Sequence, residues 1–454
     1  RESMDLRHRQ VVVVGLGKSG VATARFLVRR EARVTVTDRA PAESLAAPIA
    51  ALKGLDVELK LGGHDSHDFQ KADLVVLSPG VPHTLGILEA RRRKGIPVIG
   101  EMELAARFIR EPIAAVTGTN GKTTTTRLLG DILKHAGMDV FVGGNIGNPL
   151  IEYVEGGPRA DWLVVEVSSF QLDTMDTFHP RVGCLLNISE DHLDRYPDFR
   201  AYAASKWRLF RNQTDRDAAV INGGLSHTEA PTWPLPGQTL FFGDVSEGRR
   251  TAAAISPTAV RLDRGPGADS VSIDLSAMHL VGRHNAENAA AAALAALAAG
   301  AAPADIQAAL DDFRSLPHRV TFVREVRGVR YYDDSKATNV DAVARALDSF
   351  HQPVVLIMGG RDKGGSYHVL DERLRARVCQ LIVMGEAGSA IAQAFRTIVP
   401  VQPVADMGAA VRMAADTARE GQVVLLSPAC SSFDMYANYH QRGEDFCRHV
   451  QQLA

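Results

Sequence analysis

Ile113-Ala114-Ala115-Val116-Thr117-Gly118-Thr119-Asn120-Gly121-Lys122-Thr123-Thr124 runs from an apolar stretch into a glycine turn, a lysine and a row of hydroxyls. An apolar strand, such a turn and then a helix gather backbone N–H groups and the positive helix end around one point, which is how a chain cradles a polyphosphate. Lys122 brings a point charge to that place, and the Thr123 hydroxyl brings a ligand for Mg²⁺. The loop is a shortened relative of the full Walker pattern, because Val116 stands where its first glycine would be. The reading is an α/β nucleoside-triphosphate domain of an ATPase, kinase or ligase.

With 454 residues the chain exceeds the size at which one core keeps growing, so two or three domains are expected. A formal net charge of −2 argues against a nucleic-acid partner, and Arg91-Arg92-Arg93-Lys94 reads as a solvated helix end. The nearly uncharged run Ala289–Ala302 is alanine-rich and shorter than the roughly 20 residues of a membrane span, so it reads as a buried helix. Arg1-Glu2-Ser3 before Met4 reads as an expression remnant, and the residues after Met4 carry no signal-peptide pattern, so a cytoplasmic protein is expected. Cys184, Cys379, Cys430 and Cys447 have no metal-type spacing and read as buried free thiols.

Upstream of the loop, Gln10–Val14, Arg33–Thr37 and Leu74–Leu77 are short β-branched strands, with a helix from about Ser19 to Arg30. Gly15-Leu16-Gly17-Lys18-Ser19-Gly20 comes directly after the first strand, and Asp38 ends the second where a ribose-binding carboxylate would sit. On residues alone this favours an NAD-binding domain, although the same geometry cradles any pyrophosphate. Downstream, Asp161–Val167, Val182–Asn187 and Ala218–Ile221 continue the central sheet, and about 228–276 reads as an antiparallel insertion. Val329–Tyr332, Val354–Met358, Leu381–Met384 and Val423–Leu426 form a third α/β unit.

Candidate chemistry collects at strand ends. Glu166 closes an apolar strand and suits a Mg²⁺ ligand beside the phosphate loop. His192, inside Asn187-Ile-Ser-Glu-Asp-His192-Leu-Asp-Arg-Tyr196, is balanced between a structural role and a metal or phosphate role. Gly282-Arg-His-Asn285-Ala-Glu-Asn288 faces a nucleotide base or caps its helix. Arg319 sits at the hinge into the third unit, within reach of a transferring phosphoryl group. Tyr332–Asn339, Gly359–Gly365 and Ser427–Asp434 should share one rim facing the central unit.

Together these segments resemble the Mur ligase family over nearly all of Met4–Ala454. Gly118–Thr123 is common to the wider family, including folylpolyglutamate synthases. More selective are Gly15–Gly20, Ser78-Pro79-Gly80-Val81-Pro82, Gly143-Gly144-Asn145-Ile146-Gly147, Ser168-Ser169-Phe170-Gln171-Leu172, Leu316-Pro317-His318-Arg319, Asp334–Asn339 and Ser427-Pro428-Ala429-Cys430. The resemblance implies a Rossmann-like domain over 1–100 for a UDP-sugar, a central P-loop ATPase-like α/β domain over 101–315, and a Rossmann-like domain over 316–454 that binds the amino acid and closes on ATP. It redirects the first glycine loop from NAD to a uridine diphosphate.

The implied activity belongs to peptidoglycan precursor synthesis in a monomeric enzyme. ATP turns the alanyl carboxylate of UDP-N-acetylmuramoyl-L-alanine into an acyl phosphate, which the amine of D-glutamate attacks. Another Mur-type ligase, one using L-glutamate or a different amino acid, is the alternative, with an NAD-dependent oxidoreductase behind it. The implied catalytic set is Lys122, Asn145, Glu166, His192 and Lys206. ATP contacts fall on Gly118, Thr119, Asn120, Gly121, Lys122, Thr123, Thr124, Asn285, Asn288, Arg319 and Asp334. The UDP-sugar contacts fall on Gly15, Leu16, Gly17, Lys18, Ser19, Asp38, Ser78, Pro79, Gly80, Asn145 and Ser168. Glutamate falls on His192, Lys336, Thr338, Lys363, Ser432, Phe433 and Tyr439. Two Mg²⁺ ions are implied, held by Thr123, Glu166, His192 and a Lys206 carbamylated to N6-carboxylysine.

Overall fold

The computed structural model describes residues 4–454 except 157, 226–230, 232–234, 236–237, 246–249, 264, 266, 279–281 and 314–316. Arg1–Ser3, Leu316 of the hinge segment and parts of the 228–276 insertion therefore lie outside the described residues. Three sheets succeed one another along the chain, the α/β architecture expected from the sequence.

The first sheet is parallel throughout, in the order β3-β2-β1-β4-β5, from β1 (Gln10–Val14), β2 (Arg33–Asp38), β3 (Val57–Leu61), β4 (Leu74–Leu77) and β5 (Val98–Gly100). Order reverses beside β1, so the crevice that such a sheet offers a ligand opens at the first glycine loop. The helix Lys18–Arg29 starts there, and Gly20 packs against the loop so closely that a Cβ would lie 2.0 Å from the Gly15 carbonyl oxygen. Only glycine fits.

The second sheet has the order β14-β13-β12-β11-β10-β9-β6-β8-β7. It comprises β6 (Ile113–Thr117), β7 (Val140–Gly144), β8 (Trp162–Glu166), β9 (Val182–Leu185), β10 (Ala218–Asn222), β11 (Gln238–Phe242), β12 (Thr251–Ile255), β13 (Ala259–Leu262) and β14 (Val271–Asp274). The insertion is not wholly antiparallel as the sequence suggested. Both β11 and β12 extend the parallel sheet, and only β12-β13-β14 alternate in direction. The alanine-rich run forms the buried helix Arg283–Ala298, ending before Gly300 rather than continuing to Ala302. Its small side chains let it lie against the phosphate-loop helix Lys122–His135 in a shared core with Leu128, Leu129 and Ile132.

The third sheet has the order β15-β16-β20-β17-β18-β19, from β15 (Thr321–Val326), β16 (Val329–Asp333), β17 (Val354–Gly359), β18 (Val378–Met384), β19 (Val401–Pro403) and β20 (Val423–Leu426). Only β15 runs against its neighbour. Two smaller expectations change. Arg91 is buried and its guanidinium donates to the Phe69 carbonyl at 3.3 Å, so the basic run is not all solvated. All four cysteines are free thiols, but Cys379 is exposed and Cys447 half-buried. Among the described residues no helix is long and apolar enough to cross a membrane.

Candidate active site

Strands of the second and third sheets end facing one another, and the loops after them form a single polar cleft. From the central sheet come the phosphate loop after β6, Glu166 at the end of β8, and the Asn187–His192 loop after β9. From the third come Asp334–Asn339 after β16 and Lys363 after β17.

The phosphate loop is shaped by left-handed glycines. Gly121 at φ +85° begins the helix, and a Cβ on it would meet Asn288 Oδ1 at 2.2 Å. Asn187 pins the loop from behind, its Oδ1 accepting the Asn120 N–H at 2.8 Å and its Nδ2 donating to the Asn120 carbonyl at 2.9 Å. Lys122 Nζ folds over the loop and donates to the Gly118 and Thr119 carbonyls, both at 2.9 Å. Gly118 and Thr124 are buried and stand behind the cleft surface. Thr119, Asn120, Gly121, Lys122 and Thr123 line it.

At the loop's end the Thr123 hydroxyl donates to Glu166 Oε2 at 2.8 Å, while Asn145 Nδ2 donates to Glu166 Oε1 at 3.1 Å. A hydroxyl and a carboxylate side by side are oxygen donors that suit Mg²⁺. Among the described residues no three His, Cys, Asp or Glu side chains converge as a metal cage, so such an ion would take its other ligands from phosphate and water. Burial pushes the His192 imidazole down to about 3, leaving it neutral and able to ligate. Its backbone is left-handed, φ +56°, and its ring sits edge-on to Phe170.

Positive charge exceeds negative in the cleft. Lys206 does not line the cleft but stands behind its surface, 1% exposed, donating to the Gly118 carbonyl at 3.0 Å and lying over the Tyr202 ring. Burial first, and Lys122 next, hold its amine well below the usual lysine range. Burial likewise lowers Lys122 and brings Lys336 down to about 7. Lys336 Nζ donates to the Tyr439 hydroxyl at 2.9 Å. Burial would raise Asp191, but Lys363, His192, Asn339 and Lys122 together hold it below the usual carboxylate range. Burial does raise Asp334, to about 7, although Ser427 donates to it at 2.8 Å. Arg319 is half-buried beside it, its Nε lacking a hydrogen-bond partner among the described residues. A polyanion entering here would satisfy these cations.

The helix Arg283–Ala298 starts at Gly282 with no side-chain cap, and Asn285 and Asn288 line the cleft instead. Of the glutamate set, His192, Lys336, Thr338 and Lys363 line it, and Tyr439 lies in the adjoining groove with Lys336. Ser432 is buried and Phe433 is 64% exposed, and neither lines that surface.

A second pocket lies on the first sheet, lined by Gly15, Leu16, Gly17, Lys18, Ser19, Asp38, Ser78, Pro79 and Gly80 together with His64. Asp38 is committed to its own loop, accepting the Leu16 N–H at 2.7 Å and the Ala40 N–H at 2.8 Å. Ser168 caps the short helix Ser169–Asp173 in a reciprocal pair with Gln171 and does not line that pocket. Lys18 Nζ reaches the central domain, donating to the Gly147 carbonyl at 2.6 Å, close to Asn145.

Asn187, Asp191, Asn339, His284 and Arg345 also line the cleft and were not among the expected site residues. Four of the five stand within segments read as chemically rich, yet their roles arise from loop-to-loop bonds. Arg345 has no such signal, being one arginine of an ordinary helix.

Three patterns of one family match in succession: the Mur ligase MurD-like N-terminal domain over 9–100, the Mur ligase middle domain over 116–296 and the Mur ligase glutamate ligase domain over 318–430. The chain is 50% identical over 452 residues to the UDP-N-acetylmuramoylalanine–D-glutamate ligase of Desulfatibacillum aliphaticivorans, covering 99% of this chain and 100% of that one. Its identity to the ligase of the same name from Desulfosudis oleivorans is 51% over 450 residues, 99% and 98% of the two chains. Among solved structures, the pseudomurein peptide ligase type C of Methanothermus fervidus superposes with TM-score 0.61 at 19% identity, over 98% and 100% of the chains. The UDP-N-acetylmuramate-alanine ligase of Thermotoga maritima does so with TM-score 0.58 at 18% identity, over 98% and 99%. These two share the fold.

Proposed function

The chain belongs to the Mur ligase family, and from that premise we propose that it joins D-glutamate to UDP-N-acetylmuramoyl-L-alanine at the expense of ATP. NAD chemistry at the first glycine loop is set aside, because the matching N-terminal pattern is that of a ligase. The observation that carries the reading is one cleft in which a phosphate loop from one domain faces Lys336 and Lys363 from another. An oxidoreductase has no use for that pairing, and a nucleotide switch has no use for the two lysines.

A carboxylate is a poor electrophile, so the alanyl carboxylate first takes the γ-phosphoryl group of ATP. The amine of glutamate then adds to the acyl carbon, loses a proton, and phosphate leaves with the C–O bonding pair. Lys122 and Arg319 offset the charge of the phosphoryl group as it moves between two anions. Asn145, held by Glu166, orients the acceptor carboxylate. Lys336 and Lys363 hold the glutamate carboxylates. Thr123, Glu166 and His192, with Lys206 if it is carbamylated, would hold two Mg²⁺ ions, which would screen the like charges that must approach. The Gly15–Gly20 pocket takes the uridine diphosphate. We assign the reaction to the cytoplasm and to a monomer.

The test is ADP release by the purified chain with UDP-N-acetylmuramoyl-L-alanine and Mg²⁺. Release that requires D-glutamate is expected; release with L-glutamate changes the product, and no release with either rejects the reading.

A further inference from the structure

The backbone on both sides of Arg319 is left-handed, with His318 at φ +62° and Val320 at +45°. That region disfavours a side chain, and a β-branched valine most of all, so tertiary contacts must impose the turn. They are present. His318 Nδ1 lies 2.5 Å from Asp333 Oδ2, and since a carboxylate only accepts, the imidazole donates from Nδ1. The Val320 N–H donates to Asp334 Oδ1 at 3.2 Å, and the Lys336 N–H donates to the His318 carbonyl at 3.1 Å.

Asp333 is itself fixed from two further directions. Its Oδ1 accepts the Ser335 N–H at 2.9 Å, and the Cys447 thiol approaches Oδ2 at 3.5 Å. The C-terminal helix Tyr439–Gln451 leaves room for the pair through Gly443, where a Cβ would lie 2.2 Å from His318 Nδ1 and 2.8 Å from Asp333 Oδ2. Asp333 lines neither the ATP cleft nor the adjoining groove. What the turn delivers is Arg319, its Nε buried and unpartnered among the described residues, in the cleft with Lys122 and Lys336.

We propose that Asp333 is a positioning residue of the ligase reaction: through His318 it holds the strained hinge turn that aims Arg319 and Lys336 into the ATP cleft, without touching a substrate. The inference rests on the ligase reading above.

The variants are Asp333→Ala, Asp333→Asn and His318→Asn in the full chain, assayed for kcat, for the KM of each substrate, and for MgADP binding by calorimetry. D333A is expected to raise the KM of ATP and the Kd of MgADP at least tenfold and to lower kcat, with the KM of the UDP-sugar unchanged. D333N keeps an oxygen acceptor for the Nδ1–H and should restore most of the loss. H318N tolerates left-handed backbone but is too short to reach Asp333, so it should behave as D333A does. Wild-type nucleotide affinity in D333A, or in H318N, overturns the proposal. If D333A fails to fold, H318N against D333N decides alone. Absence of D-glutamate-dependent ADP release in the wild type would instead reject the ligase reading, and the MgADP arm would still judge the turn.

Discussion

Lys206 carries a charge its surroundings do not support. Its amine is shut away from water, bonded to one carbonyl and lying over an aromatic face, and burial and Lys122 push it toward the neutral form against the pull of Asp191, Asp173 and Glu166. A neutral amine is the form that adds to CO₂, and the resulting carbamate would put a negative group among Lys122, His192 and the phosphate loop. Lys206→Ala should therefore cost roughly 100-fold in kcat, the scale seen when an electrostatic stabiliser is lost, with part recovered by acetate or formate. A ¹³C carbamate signal from labelled bicarbonate checks the same point. Full activity without rescue, or no labelled carbon in the wild type, sinks it. Residue types decided what could be read at this scale. Glu166 was legible because a carboxylate closing an apolar strand stands out. Lys206 was not, since a helical lysine looks solvated until the fold buries it. Asn187 and Asp191 take their meaning from partners far along the chain.

Loops, rather than strands, set the chemistry of each element, and the first glycine loop shows how tightly. Gly15 at φ +98° turns the chain so that the Ser78 hydroxyl meets its carbonyl at 3.2 Å, and Gly20 lies against that same carbonyl. Gly20→Ala would force helix and loop apart, because the obstruction is backbone and cannot swing aside. The expected result is at least a tenfold higher KM for the UDP-sugar, with MgADP binding at the separate central loop unchanged. Equal damage to both ligands would mean that the two loops are not independent. The strands legible beforehand are central ones, such as β1, β6, β8 and β17, whose two buried faces read as unbroken apolar runs. Those missed lie toward the sheet edges. β3 alternates Glu58 and Lys60 with apolar residues, β5 and β19 have three residues each, and β7 ends in two glycines. In the insertion, turn-rich sequence concealed that β11 and β12 join the parallel sheet.

Across the whole molecule, the central and C-terminal domains are closed on one another by a small set of polar contacts around the cleft. Asn120 Nδ2 donates to Asp341 Oδ2 at 2.9 Å, Asn339 Nδ2 to Asp191 Oδ2 at 3.1 Å, and Lys363 pairs with Asp191 at 3.4 Å. Arg345 bridges Asp341 on its own helix at 2.8 Å and Glu287 of the central domain at 3.4 Å. The Arg345 pairs are partly exposed and worth about 0–1 kcal/mol each, whereas the bond between the buried Asn339 and Asp191, to a carboxylate, is worth about 1.5–3 kcal/mol, so closure is the sum of a few separate contacts and is poised to respond to ligands. Glu287 separates this effect from direct binding, because it holds Arg345 without lining the cleft. Glu287→Ala should raise the KM of ATP and of glutamate together, by about two- to fivefold for a loss of about 0.5–1 kcal/mol, and leave the KM of the UDP-sugar alone. Combining it with Arg345→Ala should add less than the sum of the two, since one ion pair is removed twice. A rise confined to ATP would assign Arg345 to the nucleotide instead of to closure, and a matching rise for the UDP-sugar would show that all three domains move as one.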